Sequence, residues 1–385
     1  MKQTPDLDRM KRDLAALIAM PSENPPGHEM QVADYVAACL EPLGFVITRD
    51  EYEPGRVNIE ARLDNGPGPV FALNTHMDVV PAGTGWQHDP FTMTEEGGRL
   101  YGRGSSDCKG SLVCMMEAGR MLAADRAEWR GTLLLVFVAD EEVASVGARR
   151  YVTTAPHIDY VIVGEPTSNT TYAAHKGSLR PLVRVHGTPA HSGTPDLGDN
   201  AIYRAAALVN MVAAEHADVV RHIDHPLVGA ASLTITRASG GHADNVVPQG
   251  CDLLLDRRMV PGEDEEAVKA QIASLLARAN AQAGVRAEIV EFRPTTGGAV
   301  ETPADHVIVQ QGLAVCRANG VAEPGPFGFQ GACDLVHFCN AGAAGVVIGP
   351  GVLSVAHKAD EYVPEADLPV AACIYRDMVI ALMPV

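Results

Sequence analysis

The chain has 385 residues, of which 46% are hydrophobic, and a net charge of −18. That is enough apolar material for two folded domains, while the acidic balance speaks against nucleic acid or an anionic membrane surface as partner, since either would select a basic stripe. No apolar run reaches 18 residues and the N-terminal Met1-Lys2-Gln3-Thr4-Pro5-Asp6 lacks the apolar stretch of a signal peptide, so the cytoplasm is the expected location.

Met10, Leu14, Leu17 and Ile18 recur at helical spacing, and Met30, Val36 and Leu40 mark a second, less regular helical face. Strand-like runs follow at 57–63, 70–74, 132–139 and 160–164, with helices expected over 110–123 and 146–154. Leu133-Leu134-Leu135-Val136-Phe137-Val138 shows no alternation, as befits a central strand covered on both faces. Residues 1–178 therefore read as an α/β domain, a sheet flanked by helices, whose active site belongs at the strand carboxyl ends.

The texture then changes. A strand at 181–186 is followed by a helix at 200–214, strands at 231–237 and 251–259, a helix and a strand at 286–292. Val268, Ile272, Leu275, Leu276 and Ala279 define the face of that last helix, and Glu263-Asp264-Glu265-Glu266 complement its dipole at the N-terminus. The order βαββαβ is that of a ferredoxin-like α+β unit, spanning 179–293. Helix at 305–319, a buried strand at 344–348 and helix at 368–382 then resume the first domain over 294–385.

Eight cysteines are scattered without a CxxC pair, which points to buried thiols rather than a thiolate zinc cage or a disulfide framework. The acids are more telling. Asp107 lies in the glycine-rich run Tyr101-Gly102-Arg103-Gly104-Ser105-Ser106-Asp107-Cys108-Lys109-Gly110, just before a helix. It could serve as a helix cap; a phosphate loop is excluded because GxxxxGK[ST] is absent. Glu141-Glu142 close the central apolar strand, Glu165 closes the next, and His76 and Asp78 emerge from the 70–74 run. Alone, each could be a solvated strand end. Three strands ending in acids beside a histidine suit metal-assisted amide hydrolysis instead. That chemistry needs two divalent ions about 3.5–4 Å apart sharing a carboxylate, plus a carboxylate outside the ligand set that moves the proton of water. His357, after a glycine-rich loop, could supply a second imidazole.

His76-Met77-Asp78-Val79-Val80-Pro81, Gly102 to Gly110, Glu141-Glu142, Gly164-Glu165-Pro166-Thr167, Ala190-His191-Ser192-Gly193 and the run from His357 to Tyr362 resemble the successive motifs of the acetylornithine deacetylase / succinyl-diaminopimelate desuccinylase / carboxypeptidase G metallohydrolases. The resemblance spans nearly the whole chain. It implies a Zn-peptidase-like mixed sheet flanked by helices, with the inserted ferredoxin-like unit serving as a lid and homodimerisation domain. It also implies two divalent ions per subunit, zinc with cobalt or manganese admitted by the mixed N/O donors. His76 and Glu165 would bind one ion and Glu142 and His357 the other, with Asp107 bridging over a cis peptide to Cys108. Glu141 would be the general base acting on a water between the ions, and Asp78 the partner of His76.

His191 would reach the partner subunit's active site and steady the oxyanion there, and Asn245, Arg258 and Gly331 would meet substrate, the register between Arg257 and Arg258 being open. Glu rather than Asp at position 165 implies a deacylase or carboxypeptidase rather than an aminopeptidase or dipeptidase. Gly331-Ala332-Cys333-Asp334 departs from the hydroxyl-bearing segment common in relatives. The expected substrate is thus an N-acyl amino acid, with carboxypeptidase or dipeptidase action on a short peptide as the alternative. A catalytically silent metal- or ligand-binding dimer is the expectation from another class.

Overall fold

The computed structural model describes residues 3–385 and divides into two compact units. The first comprises the chain up to Ala174 together with Glu301–Phe329 and Cys333–Val385; the second comprises His175–Val300 with Gln330–Ala332. The sequence places its boundaries after 178 and 293; the units divide after Ala174 and Val300, and Gln330–Ala332 groups with the second unit. No helix among the described residues is long and apolar enough to cross a membrane.

A mixed nine-stranded sheet forms the centre of the first unit. Its order is Val46–Glu53, Arg56–Asn65, Gly131–Val138, Val70–His76, Tyr160–Val163, Ala344–Val347, Tyr172–His175 and Val300–Glu301, with Phe327–Phe329 branching from Tyr172–His175. The strands Gly131–Val138, Val70–His76, Tyr160–Val163 and Ala344–Val347 run parallel to their neighbours in that series. Every residue of Gly131–Val138 is buried, which is why its sequence shows no alternation. Truncating Leu134, fully buried at the centre of this strand, is expected to cost about 2–5 kcal/mol of stability. Urea unfolding of Leu134→Ala checks this value, and an unchanged midpoint would contradict it.

Helices Leu7–Ile18, Lys109–Ala124 and Asp367–Leu382 contact one another, and Met30–Leu40 joins Lys109–Ala124. Val146–Thr154 and Leu335–Asn340 form a separate pair that also contacts the sheet. Met10, Leu14, Leu17 and Ile18 are fully buried, as the periodicity predicts. Lys109–Ala124 is buried over most of its length, so its sequence carries little amphipathic signal.

The second unit is a four-stranded antiparallel sheet in the order Ser232–Gly240, Gly250–Met259, Gly177–His186 and Ala287–Arg293. Helices Ala201–Asp218 and Glu265–Ala283 contact each other and this sheet. With chain order βαββαβ, that strand order is ferredoxin-like. Asn200 and Asp264 cap the two helices through their side chains.

Candidate metal centre

Parallel strands deliver their carboxyl ends to one edge of the sheet. His76 ends its strand opposite Val138, Asn74 lies opposite Val163, and Val163 lies opposite Val347. The loops leaving these strands carry Glu141-Glu142, Glu165 and His357. Asp140, at φ 70°, reverses the chain immediately after the central strand; Asp tolerates this left-handed conformation better than most residues.

Asp107 arrives from a different element, the turn between Arg99–Tyr101 and the helix Lys109–Ala124. Gly104 has φ +84°, and a Cβ there would lie 2.8 Å from Val79 Cγ1. A Cβ on Gly110 would lie 2.3 Å from the Ser105 carbonyl oxygen, so both glycines permit approaches that a side chain would block. The turn is held by the fully buried Glu361. Glu361 Oε1 accepts the Ser106 and Asp107 N–H groups at 2.9 Å each, while Oε2 accepts the Gly104 N–H at 3.2 Å and Arg103 Nη1 at 2.6 Å. The Asp107–Cys108 peptide is cis, the arrangement that the sequence resemblance implies.

Two groups of ligand-type atoms result. Those of His76, Asp107, Cys108 and Glu165 all lie within 4.8 Å of one another, as do those of Asp107, Glu142 and His357. Asp107 belongs to both. Its Oδ1 is 3.3 Å from His76 Nε2 and its Oδ2 is 3.2 Å from His357 Nε2. Glu142 Oε2 is 2.9 Å from His357 Nε2, and Glu165 Oε1 is 4.0 Å from His76 Nε2. Glu141 stands in neither group and is half-buried beside them.

Asp78 does more than the sequence suggests. His76 Nδ1 lies 2.9 Å from the Asp78 carbonyl oxygen and 3.5 Å from its carboxylate. The backbone oxygen therefore takes the closer hydrogen bond, leaving Nε2 to face Asp107. The Asp78 carboxylate instead accepts the N–H groups of Glu141 and Glu142 at 3.2 Å each and the Asn24 amide at 2.8 Å. Burial opposes its ionisation, but His76, Asn24 and the Glu142 amide outweigh burial and hold the carboxyl below its ordinary range. Asp78→Asn is expected to weaken divalent-ion affinity by about 10–100-fold, as loss of a ligand's outer partner does. Competition against a chromophoric chelator measures this, and wild-type affinity would remove Asp78 from the support of the site.

The donor set also bears on whether ions fit. Burial and then Asp107 push the Glu165 carboxyl up to about 8. Burial and then Glu165 push Glu141 well above the carboxylate range, and burial and Asp107 also raise Glu142. Asp107 and Glu142 push the His357 imidazole up to about 10. Buried acids that resist ionisation and an imidazole that clings to a proton define a site short of positive charge. Its oxygen and nitrogen donors suit divalent cations, and two dications would supply the missing charge.

The remaining sequence candidates lie in the second unit. His191 and Val246 form a backbone bridge, the Asn245 carbonyl accepts the Ser192 N–H at 2.9 Å, and both His191 and Asn245 are exposed. The two loops are thus neighbours within that unit. His191 Nδ1 accepts the Gly193 N–H at 3.0 Å. Arg257 is 1% exposed and engages Glu263 and the Arg258 carbonyl, so its guanidinium is committed internally. Arg258 is more accessible, with Nε 2.7 Å from Asp256 Oδ1. Gly331 belongs to the short segment Gln330–Ala332 that joins the second unit.

Sequence reasoning overlooked Glu361 and Asn24. Glu361 sits inside a motif already noted, but an acid clamping a buried turn and an acid facing water are spelled alike. Asn24 lies 54 residues from Asp78, and no local pattern marks it.

Residues 72–381 match peptidase family M20/M25/M40. An acetylornithine deacetylase of Myxococcus xanthus is 32% identical over 382 residues, covering 94% of each chain. An M20 family metallo-carboxypeptidase of Sulfolobus solfataricus superposes with a TM-score of 0.80 at 20% identity, covering 97% of this chain and 99% of that one. A dinuclear metal-binding M20 peptidase of Bacillus subtilis gives a TM-score of 0.74 at 16% identity over 98% of both chains.

Proposed function

The chain belongs to peptidase family M20/M25/M40, and from that premise we propose that this metallohydrolase of amide bonds is a deacylase of N-acyl amino acids, of the deacetylase or desuccinylase type. The observation that carries the reading is Asp107, which offers one carboxylate oxygen toward each of two imidazoles, one from a strand end and one from a loop. The deacylase assignment draws on the Myxococcus xanthus relative and on Glu at position 165. The dinuclear relative supports a pair of ions.

His76 and Glu165 would hold one ion, Glu142 and His357 the other, and Asp107 both; zinc suits the donors, with cobalt and manganese as substitutes. Bound there, the ions supply Lewis acidity to a substrate carbonyl and make a water acidic enough to attack near neutral pH. Glu141, free of both donor groups, takes the proton of the attacking water on its carboxylate and returns it to the leaving nitrogen. Asp78 holds the Glu141-Glu142 turn and orients His76 in one contact set. The second unit would serve as lid and homodimerisation domain, and its His191 would serve the developing oxyanion in the active site of the partner subunit. Asn245, Arg258 and the Gly331 backbone serve the substrate's polar ends, Arg258 through paired hydrogen bonds to a carboxylate.

Carboxypeptidase or dipeptidase action is the second reading, favoured by the Sulfolobus solfataricus carboxypeptidase among the fold relatives. Apo-protein loaded with zinc, cobalt or manganese should be assayed on N-acetyl and N-succinyl amino acids beside peptides ending in Glu or Gly. Turnover of acyl amino acids that a chelator abolishes is the expected result. Turnover confined to peptides would replace the deacylase reading, and no turnover by protein holding two ions would replace it with a silent binding role.

A further inference from the structure

We propose that Cys108 is a thiolate donor to the ion held by His76 and Glu165, which makes that position softer than a site of nitrogen and oxygen alone. The proposal rests on the two-ion reading above. Cys108 is fully buried, and its Sγ lies 3.0 Å from Asp107 Oδ1 and 3.2 Å from Glu165 Oε2. The same sulfur stands within 4.8 Å of the donor atoms of His76, Asp107 and Glu165 alike. Donors at about 2.0–2.3 Å from one ion are themselves roughly 3–3.5 Å apart, so this spacing suits groups that share a cation, with water or substrate as a fifth ligand beside His76, Asp107, Glu165 and Cys108.

Two other buried thiols, Cys114 and Cys316, are placed differently. Cys114 Sγ faces the Leu368 carbonyl at 3.4 Å and Cys316 Sγ faces the Thr171 hydroxyl at 3.4 Å. Those are ordinary contacts of a small packed side chain. Of the cysteines among the described residues, Cys108 alone appears in a group of metal-ligand type, and its contacts with Asp107, Glu165 and His76 are all with residues proposed as ligands.

On metal entry the S–H bond gives way to a sulfur–metal bond, and the proton passes to bulk buffer because the adjacent carboxylates are themselves occupied as ligands. No electron is transferred. Thiolate favours zinc and cadmium over manganese and magnesium, so Cys108 biases the choice of ion.

Two measurements test this. Zinc-loaded wild-type protein examined by X-ray absorption should show a sulfur scatterer at about 2.3 Å beside the nitrogen and oxygen shell at about 2.0–2.2 Å. Wild-type apo-protein titrated with cadmium should gain one thiolate-to-cadmium charge-transfer band, and Cys108→Ser should bind cadmium with that band lost. Two ions bound with only nitrogen and oxygen scatterers, or a band that survives in Cys108→Ser, overturns the Cys108 assignment and leaves the two-ion reading standing. Failure of the wild-type protein to bind any divalent ion overturns both.

Discussion

Replacing Glu141 by glutamine is expected to lower kcat by about 10²–10⁴-fold, the usual worth of a positioned proton-transfer group, while the protein keeps both divalent ions. Glutamine preserves the shape of the side chain and the Glu141 N–H that Asp78 accepts at 3.2 Å. It cannot accept a proton. Because Glu141 lies outside both donor groups, its loss should leave ion stoichiometry intact and leave KM little changed, since the group acts in the transition state rather than in binding. Steady-state kinetics with elemental analysis of the same sample decides the matter. Wild-type kcat would remove Glu141 as the base, and loss of an ion together with activity would make it a ligand instead.

Asp107→Ala should fail more completely, and at a different step. One carboxylate faces both imidazoles, so removing it withdraws a donor from each group at once. The two histidines are left without the acid that draws them together. Ion affinity should fall by more than the roughly 10–100-fold expected when only an outer partner is removed, at both positions, with activity reduced to background. His357→Ala provides the contrast, because it depletes one group and should retain one tightly held ion. Calorimetric titration with zinc distinguishes the two variants. Two ions bound to Asp107→Ala with wild-type affinity would end the bridging assignment.

Much of the fold was legible because its signals are local. The unalternating run from Leu133 to Val138 announces a strand covered on both faces, and it is buried throughout. Met10, Leu14, Leu17 and Ile18 announce a helix face, and they are buried together. The ferredoxin-like order was readable from alternation and helical spacing alone. Other elements were silent. Val46–Glu53 is polar and half-exposed, because an edge strand pairs on one side only and its sequence answers chiefly to water. The three-stranded sheet of Thr94–Glu96, Arg99–Tyr101 and Tyr362–Pro364 joins a local pair to a strand from near the other end of the chain, each too short for period two to be counted.

The candidate site divides in the same way. The placement of acids after buried strands, and of one acid in a glycine-rich turn, is written in the chain, since strand length and turn chemistry are local properties. That His76, Asp107, Glu142, Glu165 and His357 face one another follows from which strands lie side by side and in which direction they run. So does the use of Glu361 to clamp the Asp107 turn, of Asp78 to hold a backbone rather than only an imidazole, and of Arg257 as an internal ion pair while Arg258 stays accessible. The sequence by itself determined the elements, the residue types and the class of chemistry. Only the tertiary structure decided which carboxylates are buried together and left short of positive charge, because burial and electrostatic coupling arise between residues that the chain order keeps far apart.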